Sequence, residues 1–171
     1  MRFTFICIIF FLVESYGLSQ NDYSWTFSLE KDCKSTCETS TDYPYPVQTY
    51  KEDTEVCAKK SLFGQSFVPG FKRPSEDKCY AKNLRNNIFQ CLCTHATSRV
   101  RWLDHNEGSA DCSKTCQKEQ QKPLMGDSSS LQVCSTIIND LEHAGFVRKD
   151  AKQFYCIAGI YKSNIDQCLC H

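Results

Sequence analysis

Asp32-Cys33-Lys34-Ser35-Thr36-Cys37 and Gln90-Cys91-Leu92-Cys93 decide how this chain is read. The first has a counterpart in Asp111-Cys112-Ser113-Lys114-Thr115-Cys116, the second in Gln167-Cys168-Leu169-Cys170. The cysteine spacing from Cys33 to Cys93 is C-x3-C-x19-C-x21-C-x11-C-x-C, and from Cys112 to Cys170 it is C-x3-C-x17-C-x21-C-x11-C-x-C. Only the second interval differs, which chance placement of twelve cysteines rarely produces. Val56-Cys57 also matches Val133-Cys134, and His95 and His171 follow the two ends. The pattern predicts two tandem domains: a first six-cysteine repeat at 20–95, a polar linker at 96–110 and a second repeat at 111–171. Each has about sixty residues between its outer cysteines, a size at which a hydrophobic core is marginal and covalent staples are expected.

Spacing suggests how those staples run. Residues i and i+4 on a helix share a face about 6 Å apart along the axis, and i and i+2 on a strand share a face about 6.6 Å apart. A helix carrying Cys33 and Cys37 can therefore be joined to a strand carrying Cys91 and Cys93 by two parallel disulfides, and Cys112 and Cys116 to Cys168 and Cys170 likewise. Cys57 and Cys79, and Cys134 and Cys156, would be left to pair. Six cysteines allow fifteen connectivities per repeat, so the others stay open.

The remaining periodicity predicts a helix from Ser129 or Ser130, with Leu131, Cys134, Ile137, Ile138 and Leu141 on one face and Gly145 as its stop. A weaker counterpart runs from Asp53 to Phe63, stopped at Gly64. Phe154 to Tyr161 and Ile165 to Cys170 suggest a hairpin about Lys162-Ser163-Asn164, and Cys79 to Leu84 with Ile88 to Cys93 suggest another about Arg85-Asn86-Asn87. The expected fold class is α+β: two small disulfide-rich repeats, each with helices, a C-terminal β-hairpin and three disulfides.

Composition narrows the function. The chain has 171 residues, 13 of them Cys, with 20 Lys plus Arg against 20 Asp plus Glu. Zero net charge, balanced in each half, argues against a nucleic-acid partner bound by phosphate neutralisation. A charged fraction of 23% and a negative mean hydropathy argue against a polytopic membrane protein, and 41% hydrophobic residues against a disordered chain. Residues 1–19 read as a signal peptide: Met1-Arg2, an apolar run from Phe3 to Val13, and small residues at Gly17 and Ser19 for cleavage, Ser19 preferred. Its removal takes Cys7 and leaves twelve cysteines, an even number for an oxidising compartment. A secreted, extracellular protein is expected, with no membrane insertion.

The set Cys33, Cys37, Cys91 and Cys93, with Cys112, Cys116, Cys168 and Cys170, resembles the cysteine-stabilised αβ motif of defensins and arthropod channel toxins. Here an extra expected helix lies between the halves of each motif. The leader followed by a long two-domain cysteine-rich chain with C-L-C endings also resembles the larger venom polypeptides of centipedes, the scoloptoxins. That resemblance implies a secreted toxin acting on ion channels.

Catalytic and metal signatures are not found. His95, His105, His143 and His171 lie in no hydrolase motif. His143 is expected on a helix surface, and His95 and His171 at polar strand ends rather than as a ligand pair. Duplicated, exported cysteines oxidise before they hold zinc, so neither metal nor other cofactor is expected, and the chain is not read as an enzyme. Tyr43-Pro44-Tyr45-Pro46 reads as a stiff extended strap or a recognition strand.

A binding surface is the remaining signal. Phe63, Phe67 and Phe71 with Lys59, Lys60, Lys72 and Arg73 surround Val68-Pro69-Gly70. Lys59, Lys60, Phe71, Lys72 and Arg73 could present an aromatic and a cation together to a pore or a protease pocket. The plainer account is that the phenylalanines pack the core. The functional expectation is a toxin-like protein that modulates an ion channel, a voltage-gated potassium channel foremost. The alternatives are an inhibitor of extracellular serine proteases, with Phe67 to Pro74 as its loop, or a secreted receptor-binding protein.

Overall fold

A computed structural model describes residues 22–28, 32–60, 67–74, 76–81, 84–87, 90–127 and 130–171, with 84–87 described as backbone. The expected signal peptide 1–19 with its cleavage site, Phe63 and the Gly64 helix stop lie outside these residues. The first half contains β1 (Tyr23–Phe27), α1 (Cys33–Glu38), β2 (Tyr45–Pro46), β3 (Glu55–Lys60), β4 (Phe67–Lys72), β5 (Lys78–Ala81), β6 (Leu84–Asn87) and β7 (Gln90–Thr94). The second contains β8 (Arg101–Asp104), α2 (Cys112–Lys118), β9 (Val133–Ile138), β10 (Leu141–Asp150), β11 (Gln153–Ala158), β12 (Tyr161–Ser163) and β13 (Gln167–Cys170).

These strands make two antiparallel sheets, one per half, in equivalent orders: β1-β7-β3-β4-β5-β6 and β8-β13-β9-β10-β11-β12, with β2 also paired to β7. The correspondence reaches single residues. Trp25 opposes Leu92, and Trp102 opposes Leu169, both pairs 77 positions apart in the two halves (102 minus 25, 169 minus 92). Val47 N–H donates to Leu92 O and Leu124 N–H to Leu169 O, each at its place beside the C-x-C strand.

The fold is therefore mostly β, and the α+β expectation is corrected. The stretch predicted as a helix from Ser130 to Gly145 is the hairpin β9–β10. Val133, Thr136, Ile137 and Ile138 are β-branched and favour the pleated strand. The chain reverses at Asn139-Asp140, both with positive φ (52° and 64°), a turn that suits these two residues. Helical periodicity misled because Val133, Cys134, Ser135 and Thr136 are all buried, so neither sheet face is polar enough to show the two-residue period. The weaker helix expected from Asp53 is likewise corrected: its described part contains β3 (Glu55–Lys60), buried on both faces from Glu55 to Lys59.

Both expected C-terminal hairpins are likewise corrected. Tyr161–Ser163 folds back on β11 through Gly159 (φ 61°), whereas Gln167–Cys170 sits between β9 and β8. In the first half β5 pairs β6, which contains the Arg85-Asn86-Asn87 expected to turn, and β7 lies between β1 and β3. A strand that must place Leu on one face and two cysteines on the other is buried on both, and so takes an interior place in its sheet. The polar stretch 96–110, expected as a linker, contains β8, and β8 extends the second sheet.

Alternation along these strands builds the layers. Val56, Leu92, Val133 and Leu169 join one core with Val47, Phe71, Leu124, Ala144 and Ala158, drawn from both halves. The intervening cysteines form one cluster per half on the opposite faces. There Cys33–Cys91, Cys37–Cys93 and Cys57–Cys79 are bonded in the first half, and Cys112–Cys168, Cys116–Cys170 and Cys134–Cys156 in the second. This is the connectivity the helix and strand spacings favour. Helices of six and seven residues are too short to persist alone. Each is held by two disulfides and by an aspartate cap: Asp32 accepts from Ser35 N–H at 2.7 Å, and Asp111 from Ser113 N–H at 3.1 Å. Reciprocal bonds lock the halves together: Trp25 Nε1 donates to Met125 O (3.0 Å) and Trp102 Nε1 to Gln48 O (2.7 Å).

Candidate functional site

The residues expected to form a binding surface do not come together on the surface. Phe71 is 1% exposed and belongs to the shared core. Lys72, 1% exposed, places its ammonium 3.1 Å from Glu55 Oε2 and donates to Arg73 O at 3.2 Å. Lys59 is buried as well. Lys60 is exposed, and Arg73 is half-exposed, bonded to Glu76 and lying near the Phe71 and Tyr80 rings. The physical reason is that Phe67–Lys72 is an interior strand of its sheet and not a protruding loop. Tyr45–Pro46 pairs with β7 as β2, and Tyr43 packs on the disulfide cluster. His95 and His171 stand against different rings, Tyr43 and Tyr23.

Chemistry converges instead where the halves meet beside the β9–β10 hairpin. Glu142, on β10, is 2% exposed. Its Oε1 accepts from Ser135 Oγ (2.6 Å) and its Oε2 from Lys51 N–H (2.9 Å). Its own N–H donates to Asp53 Oδ2 (2.8 Å), and its carbonyl accepts from Thr54 Oγ1 (3.2 Å). One buried residue thus ties segment 51–54 of the first half to the second. The neighbouring His143 is 2% exposed, with its ring 4.5 Å from that of Phe71. Its expected place on a helix surface is corrected: its strand packs at the seam between the halves. Burial, aided by Arg73 and opposed by Asp53 and an Ile138 backbone hydrogen bond, holds the imidazole below the ordinary histidine range.

Outside this seam a groove of about 360 Å³ opens, lined by Tyr50, Ile137, Asp104, Asp166, Glu142 and Gln167, with Lys51, His105 and Asn106 completing the wall. It continues through His105, Asn106 and Asp166 into a second depression of about 510 Å³. Each half contributes to it, because β13 and β8 bring Gln167 and Asp104 side by side while the Gln48–Glu55 turn brings Tyr50. Tyr50 is 70% exposed and Ile137 42%. Gln167 Nε2 donates to Asp104 Oδ1 at 2.7 Å, and Asp166 Oδ2 accepts from Ile137 N–H at 2.6 Å. His105 Nδ1 lies 2.8 Å from Thr115 Oγ1, and burial keeps this imidazole below its ordinary range against the pull of the Gly108 backbone and Glu107.

Sequence reasoning missed this groove because its residues come from four separate segments. One signal was readable: Trp25 and Trp102 stand in equivalent places, which would have moved the start of the second repeat back to β8 and its Asp104. Among the described residues no group of three or more His, Cys, Asp and Glu is arranged to hold a metal ion, and no helix is long and apolar enough to cross a membrane. Comparison with known protein families, curated proteins and solved structures finds no match to this chain.

Proposed function

We propose that this chain is an exported, duplicated binding protein that recognises an extracellular protein, a membrane receptor or channel, without catalysing a reaction. The observation that carries this reading is the groove at the seam: aromatic and apolar side chains left exposed beside buried polar groups, on a frame braced by six disulfides. Rigid presentation lowers the ordering cost of association, and disulfides of this number are typical of extracellular proteins. Strand-by-strand equivalence of the halves supports duplication. Burial of Phe71 and Lys72 weighs against a pore plug built on them, and the strand conformation of Phe67–Lys72 weighs against an inhibitory loop there.

The test is saturable binding of fluorescent, oxidised mature protein to intact dissociated neurons, followed by recording of potassium, sodium and calcium currents. Saturable binding that is lost after reduction and alkylation supports the reading, and a dose-dependent change in one current identifies a channel as the target. Absence of saturable binding, together with stoichiometric titration of a trypsin-like enzyme, would replace it by protease inhibition.

A further inference from the structure

The groove at the seam has an unusual electrostatic composition. Asp104, Glu142 and Asp166 line it, and among the described residues none of the three has a Lys or Arg within ion-pair distance. Among the described residues Lys51 is the one Lys or Arg on the wall, and its ordered contact with Glu142 is made through its backbone N–H. Among the described residues the donors to the Glu142 carboxylate, Ser135 Oγ and Lys51 N–H, are neutral. A carboxylate this deeply buried is ordinarily paired.

A second feature is independent of the acids. Gln167 is 9% exposed and lies on the wall of the groove. Its Nε2 is used on Asp104, and its Oε1 is buried with no hydrogen-bond partner. Such an orphaned acceptor is uncommon in a folded protein. Beside it stand Tyr50, whose exposed ring can take a cation on its face, and the apolar Ile137, against which an alkyl stem can lie.

Resting on the binding reading above, we propose that the groove takes a basic side chain, arginine by its chemistry, from the protein partner. The guanidinium offers five donors in a planar fork and suits sites with several acceptors. Asp104 and Asp166 supply charge at the mouth and Tyr50 a face for stacking, and the Gln167 amide, whose Oε1 is out of contact with solvent, turns towards the groove to offer its acceptor. Complementarity of this kind sets specificity and association rate more than total affinity. The partner surface is therefore basic where it meets the seam.

The test uses oxidised, isotope-labelled mature protein titrated with the capped tripeptide acetyl-Gly-Arg-Gly-amide and, separately, with its neutral isostere acetyl-Gly-citrulline-Gly-amide. Saturable amide shifts confined to Tyr50, Lys51, Asn106 and Asp166 are expected for arginine, about tenfold weaker for citrulline, and weakened by added salt. Asp166→Asn, which keeps an acceptor for Ile137 N–H, should weaken the arginine peptide severalfold while leaving the remaining spectrum unchanged. Equal binding of the two peptides, shifts elsewhere, or no saturable shift would overturn the proposal. Running D166N in the neuron-binding assay separates the two ideas. Wild-type binding that D166N retains in full removes the basic-side-chain proposal and leaves the binding reading standing, whereas no binding by either removes the reading itself.

Discussion

Gly70 and Gly145 occupy equivalent positions, opposite Cys57 and Cys134 in their ladders. In each half a disulfide passes over the strand that holds the glycine, joining β3 to β5 and β9 to β11 with the two Cα atoms 6.0 Å apart. Strands two places apart in a flat sheet lie about 9.5 Å from one another, so the sheet is folded sharply at the crossing. A Cβ built on Gly70 would lie 2.2 Å from Tyr80 O, and one on Gly145 2.2 Å from Ile157 O. Gly70→Ala and Gly145→Ala are each predicted to destabilise by about 3 kcal/mol, read from urea midpoints. A midpoint within experimental error of wild type would show that the crossing relaxes easily. The Glu55–Lys72 pair makes a second residue-scale prediction, because its side chains are 10% and 2% exposed. Lys72→Met alone leaves a carboxylate unpaired and should cost about 3–5 kcal/mol, whereas Glu55→Leu combined with Lys72→Met should recover most of that loss. Equal loss in the single and double variants would locate the effect in packing instead.

At the scale of elements, α1 and α2 persist because covalent bonds and caps compensate for their shortness. Asp32→Ala removes the acceptor for Ser35 N–H and is predicted to cost about 1 kcal/mol, measured by thermal melting. The hydrogen bond from Ser35 N–H, set against desolvation, holds the Asp32 carboxyl below its ordinary range. A group depressed in this way stabilises the fold above the unfolded carboxylate range and loses that contribution as pH falls through the folded value. The pH dependence of melting should therefore be shallower on the acid side in Asp32→Ala than in wild type; an unaltered profile would rule this cap out as its source. The same scale explains the failed helix prediction. Leu131, Cys134, Ile137, Ile138 and Leu141 do recur at helical intervals, but the β-branched run and the Asn139-Asp140 reversal outweigh them once a second sheet is present to bury Val133. C-x3-C with C-x-C was legible because its partners are set by local geometry of one turn of helix and one pleat of strand.

For the whole molecule, acid sensitivity follows from histidines that the fold keeps unprotonated. His143, His105 and His171 are all held below the ordinary histidine range, in each case chiefly by burial. The unfolded chain then binds more protons than the folded one at mildly acid pH. Stability is complete above about pH 6.5, declines as pH falls from there towards the lower folded values, and levels off once these are passed. His143→Gln should reduce this decline, because His143 lies at the seam at 2% exposure. A urea-midpoint profile unchanged by the substitution would assign the acid response to the other two.

Cysteine spacing was enough by itself to pick out, among many pairings, the one that a helical turn and a strand pleat can satisfy. These are short-range properties: residues four apart on a helix or two apart on a strand share a face whatever surrounds them. Tertiary structure alone decided that the second cysteine segment is a hairpin, that Phe71 and Lys72 lie inside, and that the groove forms from Tyr50, Asp104, Asp166 and Gln167. Burial on both faces of a strand erases the alternation that would announce it, and a site assembled across a seam has no spacing in the chain.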